Sequence, residues 1–266
     1  MLREMVKDFA DKEIRPIAKK IDDDQEIPKE LFSKLAQAGL FGTAFPEEYG
    51  GGGFGEFGFC IQQEEISKVC GSTAATIGAH QSIGANAIYL GGSEELKKKY
   101  LPKLTSGESI AAFCLTEAEA GSDAFNLKST AKLIGDKWIL NGTKVWVTNG
   151  AYADVYSVFA RTENGISAFV VEKKFDGVQV GPNEKKLGLK GSATNVITFN
   201  DVAIPKENLI GIDGRGFLIA MATLNSGRIG LAACCLGAAK ELLEASVSYA
   251  KQRKQFNEPL IKFQAV

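Results

Sequence analysis

The spacing of apolar residues changes twice along this chain of 266 residues, and those changes restrict its fold more than any single motif. Over the first stretch, Leu2, Met5, Val6, Phe9, Ile14, Ile17 and Ile21 fall on the i, i+3, i+4 stripe of an amphipathic helix. Pro28 is placed to open a second helix in which Leu31, Phe32, Leu35 and Leu40 share a face. Residues 49–58 read as a flexible Gly-rich connector, and residues 59–69 and 94–104 as further helices. From 127 to 200 the apolar residues alternate with period two, and Gly135-Asp136, Asn141-Gly142 and Asn164-Gly165 read as hairpin turns. After Pro205 the helical period returns. Residues 216–249 suit a buried helix, and the helical pattern runs to Val266 without a cap or polar tail. Helices, then strands, then helices predict an α+β chain with segregated layers. The expected units are an N-terminal helical domain (1–108), a middle antiparallel β-barrel or sheet domain (109–213) and the first part of a C-terminal helical bundle (214–266). The abrupt apolar ending suggests a chain truncated within that bundle.

Composition excludes several classes of function. Thirty-one basic and 32 acidic residues leave a net charge of −1, which gives no electrostatic footprint for nucleic acid. His80 is the single histidine, so a multi-histidine metal centre is impossible. Cys60, Cys70, Cys114, Cys234 and Cys235 contain no CxxC pair and are odd in number, which predicts reduced thiols in a reducing compartment. The charged N-terminus lacks the apolar core of a signal peptide, and the weakly polar run at 230–239 is too short to cross a bilayer. A soluble intracellular protein is expected, cytoplasmic in a bacterium and mitochondrial, in the matrix or on the inner membrane surface, in a eukaryote.

Most isolated motifs have a bland reading. Residues 53–58 match GxGxxG, but a dinucleotide loop needs a buried strand before it and a βαβ unit around it. His80 has no evident orienting carboxylate, so it reads as a hydrogen-bonded structural or pocket-lining residue. Ser122 beside Asp123 is no triad without geometry. Two stretches are more informative. In FCLTEAEAGSDA (113–124) a strand-like segment leads into a turn whose N–H groups and hydroxyls could hold an anionic or carbonyl-rich ligand, or simply form an Asx-type turn. In KVWVTNG (144–150), Trp146 and Thr148 share one side of a strand, a face suited to a planar ring system or to core packing.

With KKLGLKGS (185–192), VAIPKEN (202–208), LNSGR (224–228) and RKQF (253–256), those two stretches resemble the acyl-CoA dehydrogenases, in register from the first helix to the last residue. Residues 78–84, 111–117 and LNSGR are most similar to the very-long-chain branch. The resemblance implies FAD bound between the middle domain and the C-terminal bundle, with the N-terminal helices closing the site. It implies cofactor contacts from Phe113, Leu115, Thr116, Gly121, Ser122, Trp146, Val147 and Thr148. Arg253, Phe256 and Gln264 would reach the FAD of a neighbouring subunit in a homodimer or homotetramer. Ser122, Phe217, Asn225, Ser226, Gly227 and Arg228 would border the acyl-CoA channel.

The reaction implied is α,β-dehydrogenation of a long-chain fatty acyl-CoA to the trans-2-enoyl-CoA in β-oxidation, with electrons passed to electron-transferring flavoprotein. Most branches of the family place the catalytic glutamate beyond position 266, and a minority place it just before the arginine, where this chain has Gly227. No base is identified among these residues, so the isolated chain is expected to be inactive or to bind flavin weakly. Alternatives are an acyl-CoA oxidase, a non-catalytic binding or assembly protein on the same scaffold, and a Rossmann NAD enzyme if strands lie in the first hundred residues.

Overall fold

The computed structural model describes residues 1–264. Its first 110 residues hold seven α-helices and no strand: α1 (Leu2–Phe9), α2 (Ala18–Asp24), α3 (Lys29–Gln37), α4 (Gly55–Ser67), α5 (Gly71–Ala79), α6 (Asn86–Gly91) and α7 (Glu94–Thr105). That removes the Rossmann reading. Between α1 and α2 the chain widens into a π turn (Ala10–Ile14), then tightens into a 3-10 turn (Arg15–Ile17). Pro16 supplies the physical reason, because it has no N–H to continue an α-helical ladder. Val6, Ala10, Ile14 and Ile21 still point inward and pack with Leu31, Leu35, Phe41, Ile66 and Ile77. Met5 turns outward instead.

Residues 49–58 are no flexible connector. Gly52 N donates to Gly42 O at 2.9 Å, Gly53 N to Phe45 O at 2.9 Å, and a Cβ on Gly51 would lie 2.2 Å from Phe45 O. The glycines there permit a close crossing of two backbone segments, and Gly55 already begins α4. Residues 71–91, for which the sequence reading assigned no helix, carry α5, a second π turn (His80–Ala85) and α6. Ala, Gly, Ser and Thr dominate the stretch, so its few large apolar residues, such as Ile77, Ile83 and Ile88, are too sparse to make a continuous stripe.

The middle of the chain forms an eight-stranded sheet of β1 (Ala111–Cys114), β2 (Thr130–Ile134), β3 (Lys137–Thr148), β4 (Val155–Thr162), β5 (Gly165–Glu172), β6 (Val178–Asn183), β7 (Thr194–Pro205) and β8 (Leu209–Ile210). The order is β6-β7-β3-β2-β4-β5-β8, with β1 added beside β4. Pairings are antiparallel except β1 with β4 and a single bridge from β2 to β4. One sheet face encloses Trp138, Leu140, Tyr156, Val158, Phe169 and Phe199. The other, through Phe159, Ala168 and Val170, packs on Ile88, Leu101 and Leu104 of the helices. Covered on both faces, β4 and β5 lose the alternation of a half-buried strand and read as continuous apolar runs.

Gly135-Asp136 and Asn164-Gly165 turn between neighbouring strands, as expected, but Asn141-Gly142 lies inside β3. Asn141 there exchanges hydrogen bonds of 2.8 and 2.9 Å with Asp201, whose φ of 50° marks an extra residue in β7.

The last helix, α8 (Gly216–Gln252), runs 37 residues and contacts α4, α5, α6, β5 and the second π turn. It is not the buried helix expected: of its large apolar side chains, Leu218, Leu231, Leu242 and Leu243 are exposed, while Gly216, Ala220, Thr223, Gly230 and Gly237 face inward. By length and composition alone it is long and apolar enough to cross a membrane, with a window of mean hydropathy 1.4, so the short run at 230–239 understates it. The α-helix stops at Gln252 rather than running on, and the last two positions of the expected helical pattern, 265–266, lie outside the described residues. Beyond Gln252, β9 (Lys254–Gln255) and β10 (Glu258–Pro259) pair across Phe256-Asn257, whose φ values of 52° and 64° suit a two-residue hairpin turn.

Candidate active site

The site begins where β1 runs into the turn at 115–122. Glu117 and Ala120 exchange backbone hydrogen bonds of 3.1 Å, and Val145 N donates to Thr116 O at 2.9 Å, fastening the turn to β3. Beneath it, Lys144 is wholly buried; its Nζ lies 2.7 Å from Glu117 Oε1 and 3.0 Å from Leu115 O. Glu117 also accepts from Ser129 N, Ser129 Oγ and Lys128 N. Burial pushes the Glu117 carboxyl up, but Lys144, Ser129 and the Lys128 N–H outweigh it and bring its pKa down to about 2. Burial lowers the Lys144 pKa against the opposing pull of Glu117. The pair stays ionised because each charge has its partner and hydrogen bonds.

β3 then takes an extra residue against β7 between Lys144 and Val147, and Trp146 adopts a φ of 55°. In an unbroken strand Trp146 and Thr148 would follow Lys144 into the core; the bulge reverses the parity. Trp146 is left 63% exposed while Val147 turns into the sheet core. A bulky residue in left-handed backbone costs about 1–2 kcal/mol, a strain that accompanies functional sites often enough to point at one.

Trp146 and Thr148 look into a cleft of about 480 Å³ with Phe113, Leu115, Thr116, Gly121 and Ser122 on one side and Phe217, Met221, Leu224 and Arg228 of α8 on the other. A second chamber of about 360 Å³ lies between α4, α5 and α8, walled by Phe59, Ala74, Ala75, Gly78, Gly230 and Leu231 among others. The two share Ile83, Thr148, Leu224 and Arg228. No backbone carbonyl among the described residues takes the N–H of Thr116, Gly121 or Ser122, and a Cβ on Gly121 would meet no atom within 4 Å. A flat aromatic face, free donors along one edge and an adjoining apolar chamber suit a planar polar-edged ring lying beside an apolar tail.

Phe113, Leu115, Thr116, Gly121, Ser122, Trp146, Thr148, Phe217 and Arg228 therefore converge, and Gly227 lines the inner chamber. Three expected residues behave differently. The Val147 side chain faces away from the cleft because of the bulge. Asn225 does not line either chamber but accepts from Arg228 Nη1 at 2.7 Å. Ser226 bonds Glu56 and borders a separate small cavity. Arg253, Phe256 and Gln264 are exposed outside both chambers, Phe256 packing edge-on against Phe263 at 6.3 Å.

Of the residues lining the two chambers, Asp123, at the outer cleft, is the sole carboxylate. His80 offers no base: burial lowers its pKa to about 4, and its ring nitrogens bind Leu104 O at 3.0 Å and Ala111 N at 2.9 Å. Sequence reasoning missed Ile83, Met221 and the α4 and α5 walls of the inner chamber, although Thr148, Gly227 and Arg228, which it named, also border that chamber. Many of its wall residues, Ala74, Ala75, Gly78, Ala79 and Gly230 among them, are small residues at helix crossings, which carry no local pattern.

Profiles of the acyl-CoA dehydrogenase N-terminal, middle and C-terminal domains match residues 1–108, 112–202 and 214–266. A short-chain-specific acyl-CoA dehydrogenase of Clostridium acetobutylicum is 44% identical over all of this chain and 72% of its own length. A chain from a structure described as electron transferring flavoprotein of Acidaminococcus fermentans superposes with a TM-score of 0.97 at 45% identity, covering 100% of this chain and 71% of that one. Butyryl-CoA dehydrogenase of Megasphaera elsdenii gives 0.96 at 40% identity, covering 99% and 71%. An acyl-CoA dehydrogenase of Bacillus anthracis complexed with FAD gives 0.94 at 41%, covering 99% and 46%.

These names do not support the very-long-chain branch. The segments that suggested it, 78–84, 111–117 and 224–228, build the end of α5 with the π turn, β1 with its following turn, and the α8 crossing, and all three supply wall residues to the two spaces. Matched over nearly all its length in sequence and fold, the chain belongs to the acyl-CoA dehydrogenase family.

Proposed function

We propose that this chain carries the FAD and acyl-CoA sites of a dehydrogenase acting on short acyl-CoA thioesters, with electron-transferring flavoprotein as the electron acceptor. The observation that carries the reading is the junction of the two chambers at Ile83, Thr148, Leu224 and Arg228. There a ring stacked on Trp146 and an acyl tail in the inner chamber would lie edge to edge. The residues fit FAD: an exposed Trp face, unpaired N–H groups at Thr116, Gly121 and Ser122, and open space at Gly121. When bound, FAD supplies a two-electron acceptor.

The chain's own residues do the rest. Thr116 and Ser122 present donors to the polar edge and to anionic groups of the cofactor, while Phe113, Leu115 and Phe217 keep water from the ring. Arg228, steadied by Asn225, fixes a positive charge at the junction, where it favours negative charge developing on a thioester as its α-proton leaves. The proton acceptor is proposed to be a carboxylate from outside these residues. Arg253, Phe256 and Gln264, on their outer hairpin, are proposed to meet the cofactor of a second copy.

The short-chain reading draws on the names of the similar proteins. A second reading, binding without turnover, is favoured by the scarcity of carboxylates around the chambers. Absorption spectra with added FAD, followed by titration with butyryl-CoA and palmitoyl-CoA, separate these. Bound flavin whose absorbance shifts or bleaches with butyryl-CoA more than with palmitoyl-CoA supports the proposal. Acyl-CoA binding that neither shifts nor bleaches the flavin absorbance favours the second reading, and failure to bind either FAD or acyl-CoA overturns both.

A further inference from the structure

The walls of the inner chamber are mostly apolar, and Gln63, on α4, is one of the few polar side chains among them, with Ser82, Thr148, Arg228 and Cys234. Gln63 is fully buried and lines the chamber. Its Oε1 accepts from Cys234 Sγ at 3.0 Å, but its Nε2 has no partner. Cys234 is a proton donor here, since burial pushes its thiol up to about 12. A thiol sulfur is a poor acceptor, so flipping the amide would trade a sound hydrogen bond for a weaker one. Gly78 makes the space: a Cβ there would sit 3.1 Å from Gln63 Oε1 and 3.6 Å from Nε2. Ser82, another polar wall residue, already donates to Gly78 O at 2.7 Å. Buried amide donors are rarely left without a partner.

We propose that the inner chamber selects an acyl tail bearing an uncharged hydrogen-bond acceptor, a keto or hydroxyl oxygen, near its far end, with Gln63 Nε2 as the group that reads it. This rests on the inner chamber being the acyl site. Volume supports it: at about 30 Å³ for each water-sized group, a chamber of about 360 Å³ holds roughly a dozen, and four butyryl carbons leave much of it unfilled. The charge balance favours a neutral oxygen over a carboxylate. Arg228 is the one cation among the lining residues, and it sits at the junction with the outer cleft. Lys240, on α8, is paired with Glu64. An alkyl tail packed against Gln63 would leave the donor bare, and sites built around a hydrogen bond discriminate strongly against ligands that lack it.

The test compares equilibrium binding of butyryl-CoA, hexanoyl-CoA, 5-oxohexanoyl-CoA and adipyl-CoA to the FAD-loaded protein by calorimetry. The wild type should bind 5-oxohexanoyl-CoA at least about tenfold more tightly than hexanoyl-CoA and than adipyl-CoA. Gln63→Leu, and the more nearly isosteric Gln63→Met in case Leu perturbs folding, should abolish that preference, bringing the affinities for 5-oxohexanoyl-CoA and hexanoyl-CoA within about twofold of each other. Equal or tighter binding of hexanoyl-CoA or adipyl-CoA by the wild type would overturn the proposal, as would a keto preference that survives in both variants. Loss of butyryl-CoA binding in every form, wild type included, would instead remove the acyl-site reading on which it stands.

Discussion

Lys144 Nζ lies 2.7 Å from Glu117 Oε1 in a spot sealed from water, and this buried ion pair joins the ligand-facing turn to the strand that carries Trp146. Its worth is positional. Two charges withdrawn from water gain little net stability over a well-packed apolar pair, but removing one of them strands the other. We therefore expect Lys144→Met to lower unfolding free energy by about 3–5 kcal/mol and to weaken FAD binding. Glu117→Gln combined with Lys144→Met should recover much of the stability but not the affinity. Denaturant titration alongside flavin titration checks both; equal recovery of the two would mean the pair does not position the turn.

Trp146 poses the opposite case, strain without buried support. Because its φ is 55°, Trp146→Gly relieves about 1–2 kcal/mol of backbone strain, offset in part by the greater freedom glycine gives the unfolded chain. The variant should melt within a few degrees of the wild type yet bind FAD at least about tenfold more weakly. A large drop in melting temperature would show that the indole holds the fold together.

His80 gives the stability a pH dependence. Its folded pKa, near 4, lies below the ordinary 6.5, so between those values the unfolded chain takes up a proton that the folded chain refuses. Stability should be complete above about pH 6.5 and fall by about 3 kcal/mol toward pH 4. Glu117, depressed from 4.5 to about 2, adds a further loss at still lower pH. Unfolding free energies measured from pH 7.5 to 4.5 should slope downward in the wild type and flatten in His80→Gln.

Two glycines of α8 should separate packing from binding. A methyl on Gly237 would approach Glu64 O to 2.1 Å, a backbone atom that cannot step aside, so Gly237→Ala should cost about 1–3 kcal/mol with ligand binding little changed. On Gly227 it would meet Ile83 Cγ2 at 2.8 Å, and Ile83 lines both chambers. Gly227→Ala should weaken acyl-CoA binding several-fold with a smaller loss of stability, as calorimetry and thermal melts would show.

What the sequence disclosed follows the reach of each signal. Stripes and alternation marked α1, α3, α7 and most strands because large side chains there report which face is buried. Thr116, Ser122, Trp146 and Thr148 stood out through their motifs, and the structure gathers them around one cleft. The bulge that turns Val147 inward could not be read from local spacing, since it depends on register with β7. Nor could the inner chamber, where Ala and Gly of α5 and α8 leave room between side chains such as Phe59 and Leu231 that helices far apart in the chain bring together. α8 misled for a related reason: its inward face is glycine and alanine, so a strong apolar pattern described the surface left open.

Leu224 and Arg228, one turn apart on α8, each border both chambers. Occupants of the two spaces therefore touch the same side chains, and their binding free energies are coupled. Linkage makes that coupling reciprocal: whatever factor an acyl thioester applies to cofactor affinity, the cofactor returns unchanged to the thioester. Tight retention of one ligand and discrimination among the other are, in this fold, two readings of the same pair of side chains.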